Sequence, residues 1–434
     1  MNITSILIRI ILSVFTLAAS VMSPSFVAPV PEIAQDDFIP VMRFVATSDT
    51  HIETLGDIGC QRTSAMLKTA YAISEADEEY KNLDAVVFSG DLTDNGKRKS
   101  FYAFAAVTDN EIREGTERLA VVAKAHDSYT FFNNSLDVFT DITGQETDFH
   151  RVIGGFHFIG ISRSPTLKQY TKQQVEWLDE NIAAAVAADP EKPVFVFQHE
   201  HVRDTVYGSS KSDGWGLDTF TEVLEKYPQV VHISGHSHFP ANDPRAVWQG
   251  SFTAINDGGL AYYELAVDGK NGQFPEEKDR MSQALIIEVD ADNRVLVKVL
   301  DVDAGAIMRE FLIDNITEEN KTKYSFETRK EAASAPAFQE GAALEYKKDG
   351  LKHYVTVPQA TVSEDNEVFV YRIYVENKNG RTIYKDWVFS DYFFYDKADT
   401  ITFDGFMALG KNLTVKVCAE DVWGNTSEYL EIKI

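Results

Sequence analysis

Residues 231–238 read VHISGHSH, and they join a predicted buried strand to a pair of histidines. The apolar run over residues 230–233 is typical of a short buried strand, and Gly235 lets the backbone turn where the strand ends. His236 and His238 follow, one residue apart. Two imidazoles held at the end of a rigid strand can bind a metal, or they can simply lie in solvent. The rest of the chain decides between these alternatives.

Other predicted strands also end in side chains of the metal-ligating type. In chain order, the clusters that follow the strands are Asp49 with His51, Asp91, His126 with Asp127, His199 with His201, and His236 with His238. Because ligands of open α/β sheets bind at the carboxyl ends of the strands, we expect these clusters to converge. Mixed carboxylate and imidazole ligands suit borderline divalent ions such as Mn, Fe, Zn or Ni.

Strand and helix patterns alternate through the first half of the chain. The predicted strands cover residues 42–47, 84–89, 118–123, 193–198 and 230–233, and one of the intervening helices is predicted over 217–227. After the last of these strands, residues 251–267 and 284–302 have the patterns of antiparallel strands. We therefore predict one α/β domain over residues 40–314, with sheets packed between helices.

The remainder of the chain has a different character. Residues 315–335 are polar and charged, which predicts a linker. Residues 336–434 contain strand patterns about ten residues apart, separated by Asn-Gly, Asp-Gly and Gly-Asn turns. They predict a β-sandwich of immunoglobulin or fibronectin type. The many tyrosines of this segment permit a cell-wall or carbohydrate role.

The N-terminus and the charge indicate compartment and partners. Residues 1–28 resemble a secretory signal peptide, with Arg9, an apolar core and then small residues; the alternative is a membrane anchor. We expect an exported protein, periplasmic, secreted or at the cell surface. No other stretch approaches the ~20 apolar residues that span a bilayer, so the mature chain should lack a stable span. The net charge of -26 argues against binding of nucleic-acid duplexes.

The ordered motifs Asp-x-His, Gly-Asp, His-Asp, His and Gly-His-x-His resemble the calcineurin-like metallophosphoesterase superfamily. The resemblance covers about residues 43–238, and the stretches after His199 are similar to secreted bacterial members with an extra β domain. It implies a four-layer α/β/β/α sandwich. It also implies an enzyme that hydrolyses phosphomonoesters or phosphodiesters of a phosphorylated small molecule, using two divalent metal ions.

The resemblance also assigns roles to residues. It implies that Asp49, His51 and His238 bind the first ion and that Asp91 bridges the two ions. His199 and His236 would bind the second ion. A hydroxide shared by the two ions would attack phosphorus in line. His126 would stand beside the leaving oxygen as proton donor or charge stabiliser, and Asp127 would orient it.

One position departs from the family pattern. The family has Asn before the third-cluster histidine, where this chain has Ala125, which offers no side-chain ligand. The family glycine is replaced by Lys124, which could reach a phosphate oxygen of the substrate. The second metal site should therefore be weak or empty. This departure supports an alternative function, a catalytically impaired homologue that binds a phosphorylated ligand or a surface glycan.

Several further residues have both a functional and a structural interpretation. His201 could contact substrate or support a ligand, or be exposed. Tyr207 and Trp215 could line the pocket and stack on a base or an aromatic leaving group, or they could pack at its rim. We expect Asp94 to belong to the cap of the next helix and Glu200 to be solvated.

Overall fold

The computed structural model describes residues 37–124, 126–128, 135–164, 169–211 and 215–434. The predicted leader over 1–28 and Ala125 lie outside the described residues. The chain divides into two compact units, of which the first is Met1–Asn242 with Ala246–Ser325 and the second is Asp243–Arg245 with Phe326–Ile434. Within the described ranges, no helix combines the length and the apolar character that crossing a bilayer requires.

The first unit holds most of the strands and helices. Its strands are β1 (Pro40–Thr47), β2 (Ala85–Phe88), β3 (Glu117–Ala120), β4 (Phe149–Ile153), β5 (Phe156–Gly160), β6 (Val194–Phe197), β7 (Val230–Ser234), β8 (Val247–Gln249), β9 (Thr253–Asn256), β10 (Leu265–Val267), β11 (Lys270–Gln273), β12 (Gln283–Asp290), β13 (Val295–Asp301) and β14 (Ala306–Ile313). Its helices are α1 (Ile58–Ala76), α2 (Arg98–Glu111), α3 (Ser135–Thr143), α4 (Lys172–Ala188) and α5 (Thr221–Leu224). Short 3-10 turns cover His126–Ser128, Pro244–Ala246 and Lys278–Arg280.

Two six-stranded sheets form the centre of this unit, in the orders β14-β13-β12-β1-β2-β3 and β4-β5-β6-β7-β9-β8. Their inner faces share one apolar core, in which the Phe44 ring lies 5.0 Å from that of Phe158 and 4.8 Å from that of Phe195. Helices α1, α2 and α3 cover the outer face of the first sheet, and α4 and α5 cover that of the second. The predicted α/β/β/α arrangement is therefore confirmed.

Strand β1 has a continuous apolar sequence because both of its faces are covered. Phe44 and Ala46 face the core between the sheets, while Val45 faces the helical layer. Because both faces of a central strand are covered, polar and apolar residues need not alternate. The exception is Arg43, which is buried and forms an ion pair with Glu288 at 2.6 Å.

Two details of the predicted pattern are wrong. The helix predicted over 217–227 is the single turn α5, and Pro228 soon follows it, which disfavours helical backbone at the residue before it. Strand β9 pairs parallel with β7, although residues 251–267 have an antiparallel pattern. The chain leaves β7 and crosses back before β9 begins, as a parallel connection requires. Only β8 and β9 pair antiparallel at that edge.

The second unit is nearly all strand. It contains α6 (Phe326–Ala332), β15 (Glu345–Asp349), β16 (Lys352–Pro358), β17 (Val368–Glu376), β18 (Thr382–Phe389), β19 (Thr400–Phe406), β20 (Thr414–Asp421) and β21 (Leu430–Lys433). Two antiparallel sheets, β15-β16-β19 and β18-β17-β20-β21, enclose one core that includes Val355, Tyr371 and Phe403. The predicted C-terminal all-β sandwich is confirmed. Helix α6 lies within the segment predicted as a linker, residues 315–335.

Candidate metal centre

The loops at the carboxyl ends of four parallel strands bring the six predicted ligands together. These loops follow β1, β2, β6 and β7, so both sheets contribute candidate ligands. Three overlapping groups have all their ligand atoms within 4.8 Å of one another, and these are Asp49, His51 and His238; His51, Asp91 and His126; and Asp91, His199 and His236. The groups share His51 and Asp91, which makes the centre continuous.

The backbone at these loops is unusual. Five of the six candidate ligands have left-handed backbone, with φ of 51° at Asp49, 46° at His51, 45° at Asp91, 72° at His236 and 55° at His238. Such residues cost about 1–3 kcal/mol each and persist only where the surroundings hold them. Hydrogen bonds between loops do so, since the Asp49 amide donates to Gly90 O at 3.0 Å and the His51 amide to Asp91 O at 3.2 Å.

Three of the histidines are oriented in the same way. In each ring Nδ1 donates to a fixed oxygen, from His51 to Asp94 Oδ1 at 3.2 Å, from His199 to Ser89 O at 3.0 Å, and from His238 to Tyr262 O at 3.0 Å. A carbonyl or ionised carboxylate only accepts hydrogen bonds, so Nδ1 of the neutral ring must carry the proton. The lone pair on Nε2 then faces the centre, as in metal-ligating histidines.

The imidazole nitrogens and the carboxylate oxygen that face the centre lack hydrogen-bond partners in the described part of the chain, and a bound cation would satisfy them. His51 Nε2 and His238 Nε2 lie 3.2 Å apart, although in the neutral rings neither has a proton to donate. Asp49 Oδ1 is 3.1 Å from His238 Nε2, yet among the described residues it accepts no hydrogen bond. When both rings are neutral, as metal binding requires, two lone pairs and one carboxylate oxygen converge on a single position. A divalent cation satisfies all three, and the residues fit such an ion.

The electrostatics of the centre favour a cation as well. Burial raises the pKa of Asp49, but His238 and His199 outweigh it and hold that pKa well below its usual range. Burial lowers the pKa of His51, but Asp49 and Asp94 raise it to about 10. The Asp49 carboxylate is thus ionised, and without a metal the His51 imidazole holds a proton in its place. Metal binding at this centre should release protons.

His126 lies at the open side of the centre. Its amide donates to Asp91 Oδ1 at 3.1 Å, and its ring Nδ1 donates to Asp94 O at 3.1 Å. The side chain is 39% exposed. Its Nδ1 is therefore occupied, and Nε2 is the atom that can exchange protons with a bound molecule.

Asp127 has a different environment from the one its predicted role requires. Its buried carboxylate accepts hydrogen bonds from the amides of Thr93 at 2.8 Å, Ala123 at 3.0 Å and Leu92 at 3.2 Å. No contact joins it to the ring of His126 among the described residues. Asp127 therefore holds the loop after β2 against the end of β3.

His201 and Tyr207, both predicted to bind substrate, lie inside the fold. His201 is 1% exposed, and its Nδ1 and Nε2 lie 2.8 Å from the hydroxyls of Ser234 and Ser237. The Tyr207 hydroxyl donates to Ala266 O at 2.8 Å and accepts from the Ala266 amide at 3.0 Å. We therefore reassign both from substrate contact to support, with His201 holding the loop that carries the β7 histidines.

Of the two other predicted substrate contacts, Trp215 lies at the edge of the centre. Trp215 is 41% exposed, and its ring lies 5.4 Å from the ring of His236. Lys124 is half-buried after β3 and directly precedes Ala125. Because Ala125 is outside the described residues, the effect of the missing ligand on the group of Asp91, His199 and His236 stays a prediction.

Sequence reasoning missed the role of Asp94. Its carboxylate does not cap helix α2, whose N-cap is Lys97 without a side-chain hydrogen bond. Asp94 Oδ1 instead lies 3.2 Å from His51 Nδ1 and 3.4 Å from His126 Nδ1. Its position three residues after Asp91 was the available signal, because it puts a second carboxylate on the same loop.

Glu200 was expected to be solvated, and that expectation is wrong. The side chain is buried, pairs with Arg163 and accepts a hydrogen bond from the Tyr170 hydroxyl at 3.0 Å. Its partners come from a distant part of the chain, so no local pattern indicated burial. A buried anion next to His199 adds to the cation-favouring potential of the centre.

The fold and the ligand set define a divalent-metal centre set between two facing sheets. Residues 42–240 match the family described as calcineurin-like phosphoesterase. The resemblance inferred from the motifs is therefore confirmed. Members of the family are phosphoesterases, and the family implies a centre for two metal ions. No curated protein matches the chain.

The solved structures that the chain matches are distant in sequence. A purple acid phosphatase from yellow lupin (Lupinus luteus) seeds is 13% identical, with a TM-score of 0.43, over 62% of this chain and 53% of its own. The chain thus spans about half the length of that phosphatase. A phosphopantetheinyl hydrolase from Mycobacterium tuberculosis is 12% identical, with a TM-score of 0.27, over 50% of this chain and 89% of its own.

Proposed function

We propose that the protein is an exported hydrolase of phosphomonoesters or phosphodiesters that acts at this metal centre. The observation that carries the proposal is the convergence of His51 Nε2, His238 Nε2 and the unpartnered Asp49 Oδ1 on one position. Membership of residues 42–240 in a phosphoesterase family supports it. Export rests on the leader-like residues 1–28.

When bound, two divalent ions polarise phosphoryl oxygens and lower the pKa of water. The chain supplies their ligands in two neighbouring groups, which are Asp49, His51 and His238, and Asp91, His199 and His236. Hydrogen bonds from Nδ1 fix three of the imidazoles, so the ligands are oriented before a substrate arrives. A preformed site of this kind needs little rearrangement during the reaction.

His126 is suited to proton transfer. Its Nδ1 is held by the carbonyl of Asp94, which fixes the ring while leaving Nε2 available. A proton on Nε2 can be passed to the ester oxygen that leaves phosphorus. Replacing His126 by Asn should therefore slow hydrolysis more for esters of poorly acidic alcohols than for esters of p-nitrophenol, whose leaving oxygen needs no proton.

The test combines metal analysis with hydrolysis of two substrates. Chelator-treated full-length protein is loaded with Mn, Fe, Zn or Ni, its metal content is measured, and p-nitrophenyl phosphate and bis(p-nitrophenyl) phosphate are assayed. We expect hydrolysis with metal and its loss in Asp91→Asn. The exposed carboxylate of Asp141, which pairs with Arg98, gives the matched control Asp141→Asn. Two bound ions without hydrolysis of either ester would contradict the proposal.

A second candidate function is binding of a phosphorylated ligand or glycan without efficient hydrolysis. The replacement of the family Asn by Ala125 favours it, because one ligand of the second ion is missing. The variant Ala125→Asn separates the two functions. An impaired enzyme should gain second-site affinity and rate, whereas a binding protein should gain metal affinity and stay inactive.

Export and domain division have their own test. Cell fractionation should find the protein outside the cytoplasm. N-terminal sequencing should show that the mature chain begins near residue 28. A protein retained in the cytoplasm with its leader intact would contradict export. Limited proteolysis should cut between the proposed phosphoesterase domain, residues 40–314, and the sandwich, residues 336–434.

A further inference from the structure

Three aromatic side chains, Trp215, Tyr262 and Phe274, lie next to the metal centre, and we call them the aromatic rim. Phe274 is 50% exposed and Trp215 is 41% exposed, so both present ring surface to solvent. Single exposed aromatic residues are common and need no explanation. The rim differs because ring contacts connect its members to the histidines of the centre.

The first branch of the rim runs outward from His238. The Tyr262 ring stacks on the His238 ring with centroids 4.1 Å apart and planes 15° apart. The Phe274 ring lies 6.2 Å beyond Tyr262. The exposed Phe274 ring is therefore two ring contacts away from a candidate metal ligand.

The second branch is Trp215, whose ring meets the His236 ring edge-on at 5.4 Å. His236 and His238 belong to different ligand groups. Each half of the metal centre therefore has an aromatic neighbour that is exposed or leads to an exposed ring. A phosphoester bound across both groups would have an aromatic surface near either end.

The first branch is held in place. Lys278 Nζ lies 5.2 Å from the Tyr262 ring and 5.7 Å from the Phe274 ring, within range of cation–π attraction. The backbone of Lys278 also accepts a hydrogen bond from the amide of Tyr263 at 3.3 Å. Rings ordered in advance lose less conformational entropy when a ligand stacks on them.

We propose that the aromatic rim binds a planar aromatic group in the alcohol portion of the substrate, which makes nucleotides the preferred phosphoesters. This inference rests on the proposed function. The exposed Phe274 ring lies beyond Tyr262, so it suits an aromatic group separated from phosphorus by a spacer such as a sugar. An aryl phosphate, whose ring is attached directly to the phosphate oxygen, could reach Tyr262 but not extend to Phe274.

The kinetic test compares substrates that differ in the aromatic group. Adenosine 5′-monophosphate, ribose 5-phosphate and phenyl phosphate are assayed with wild type, Phe274→Leu and Trp215→Leu. Tyr102→Leu is the matched control, because Tyr102 is 42% exposed on α2 and contacts Arg98. We expect the kcat/KM ratio of the nucleotide to ribose 5-phosphate to fall about 5- to 30-fold in Phe274→Leu and to stay unchanged in the control.

Each of three outcomes would overturn the proposal. One is equal kcat/KM for the nucleotide and ribose 5-phosphate in wild type. Another is a ratio that neither Phe274→Leu nor Trp215→Leu alters. A preference for phenyl phosphate that survives Phe274→Leu would also overturn the assignment to nucleotides, because it would place the aromatic group against Tyr262 alone.

A binding measurement separates this inference from the proposed function. Saturation-transfer NMR with adenosine 5′-monophosphate should give the strongest saturation on the adenine protons, and Phe274→Leu should reduce it. Adenine saturation without hydrolysis of any ester would leave aromatic recognition standing while the hydrolase proposal fails. Efficient hydrolysis of ribose 5-phosphate without adenine saturation would leave the hydrolase and remove the inference.

Discussion

Removing the Asp94 carboxylate should weaken metal binding although Asp94 is not among the predicted ligands. Its Oδ1 lies 3.2 Å from Nδ1 of His51 and 3.4 Å from Nδ1 of His126. In Asp94→Ala the His51 ring loses the acceptor that fixes its tautomer and orientation. The His126 ring keeps the hydrogen bond to the backbone carbonyl of residue 94, so the main loss falls on His51.

The expected magnitude follows from this geometry. Loss of a partner that orients a metal-ligating histidine typically costs 10- to 100-fold in metal affinity. The Asp94 side chain is 39% exposed, and solvent screens its charge, so the lower end applies. We expect a loss of about 10-fold, equivalent to about 1.4 kcal/mol. Asp94→Asn keeps an oxygen acceptor at this position and should lose only about 3-fold.

Isothermal titration of Mn²⁺ into chelator-treated protein measures this effect directly. The control is Asp141→Ala, which removes an exposed carboxylate paired with Arg98 and should bind metal as wild type does. Far-ultraviolet circular dichroism verifies that each variant is folded. Metal affinity in Asp94→Ala equal to that of wild type would refute the orienting role of Asp94, and so would equal losses in Asp94→Ala and Asp94→Asn.

Three further predictions concern the packing of the first unit. In Gly235→Ala the new Cβ would lie 1.9 Å from Ser48 Oγ, so the protein should fold but bind little metal, as measured by metal analysis; normal metal content would contradict this. Arg43→Met leaves Glu288 buried without its closest cation and should lower the free energy of unfolding by about 3 kcal/mol in urea titrations, and a loss below about 1 kcal/mol would be inconsistent with it. Burial lowers the pKa of Lys321 from 10.5 to about 8. Between pH 8 and pH 10.5 the unfolded chain therefore binds more protons than the folded chain. The free energy of unfolding of wild type, measured relative to that of Lys321→Met, should rise across this pH range. A difference that stays flat or falls would contradict the lowered pKa of Lys321.

The metal centre was predicted from one rule about where parallel strands end, and the structure agrees with that rule at most of the predicted positions. Parallel strands end at one edge of a sheet, so residues directly after β1 and β2 had to lie close together, and so did those directly after β6 and β7. Only strand positions are needed for this prediction, and apolar runs such as residues 85–88 indicate them clearly. The six candidate ligands could therefore be assigned to these loops without any knowledge of the loop conformations.

Predictions from strand positions were wrong where contacts depend on loop conformation. His201 was grouped with His199 because both follow the same predicted strand, but β6 ends at Phe197, and beyond a strand end the direction of side chains no longer follows a fixed alternation. The ion-pair partner of the buried Glu200 is Arg163, which follows β5 in the sequence. Contacts of this kind depend on the path of each loop, and a single sequence carries little information on it.

The aromatic rim was also only partly predictable. Trp215 was singled out because it lies in the loop region after His199, where a substrate contact was plausible. Tyr262 and Phe274 belong to the region after β9, whose parallel pairing was not predicted. With the strand direction wrong, the position of the following segment beside His238 could not be inferred.

The left-handed backbone at the candidate ligands affects which substitutions are informative. At a φ near 50° alanine keeps the steric conflict between Cβ and the backbone, whereas glycine removes it and asparagine tolerates it. Replacing Asp91 by glycine would therefore delete a ligand and relax the loop at once. Such a variant could resist heat better than the metal-free parent while being inactive, so thermal shift data alone would rank these variants in the wrong order for function.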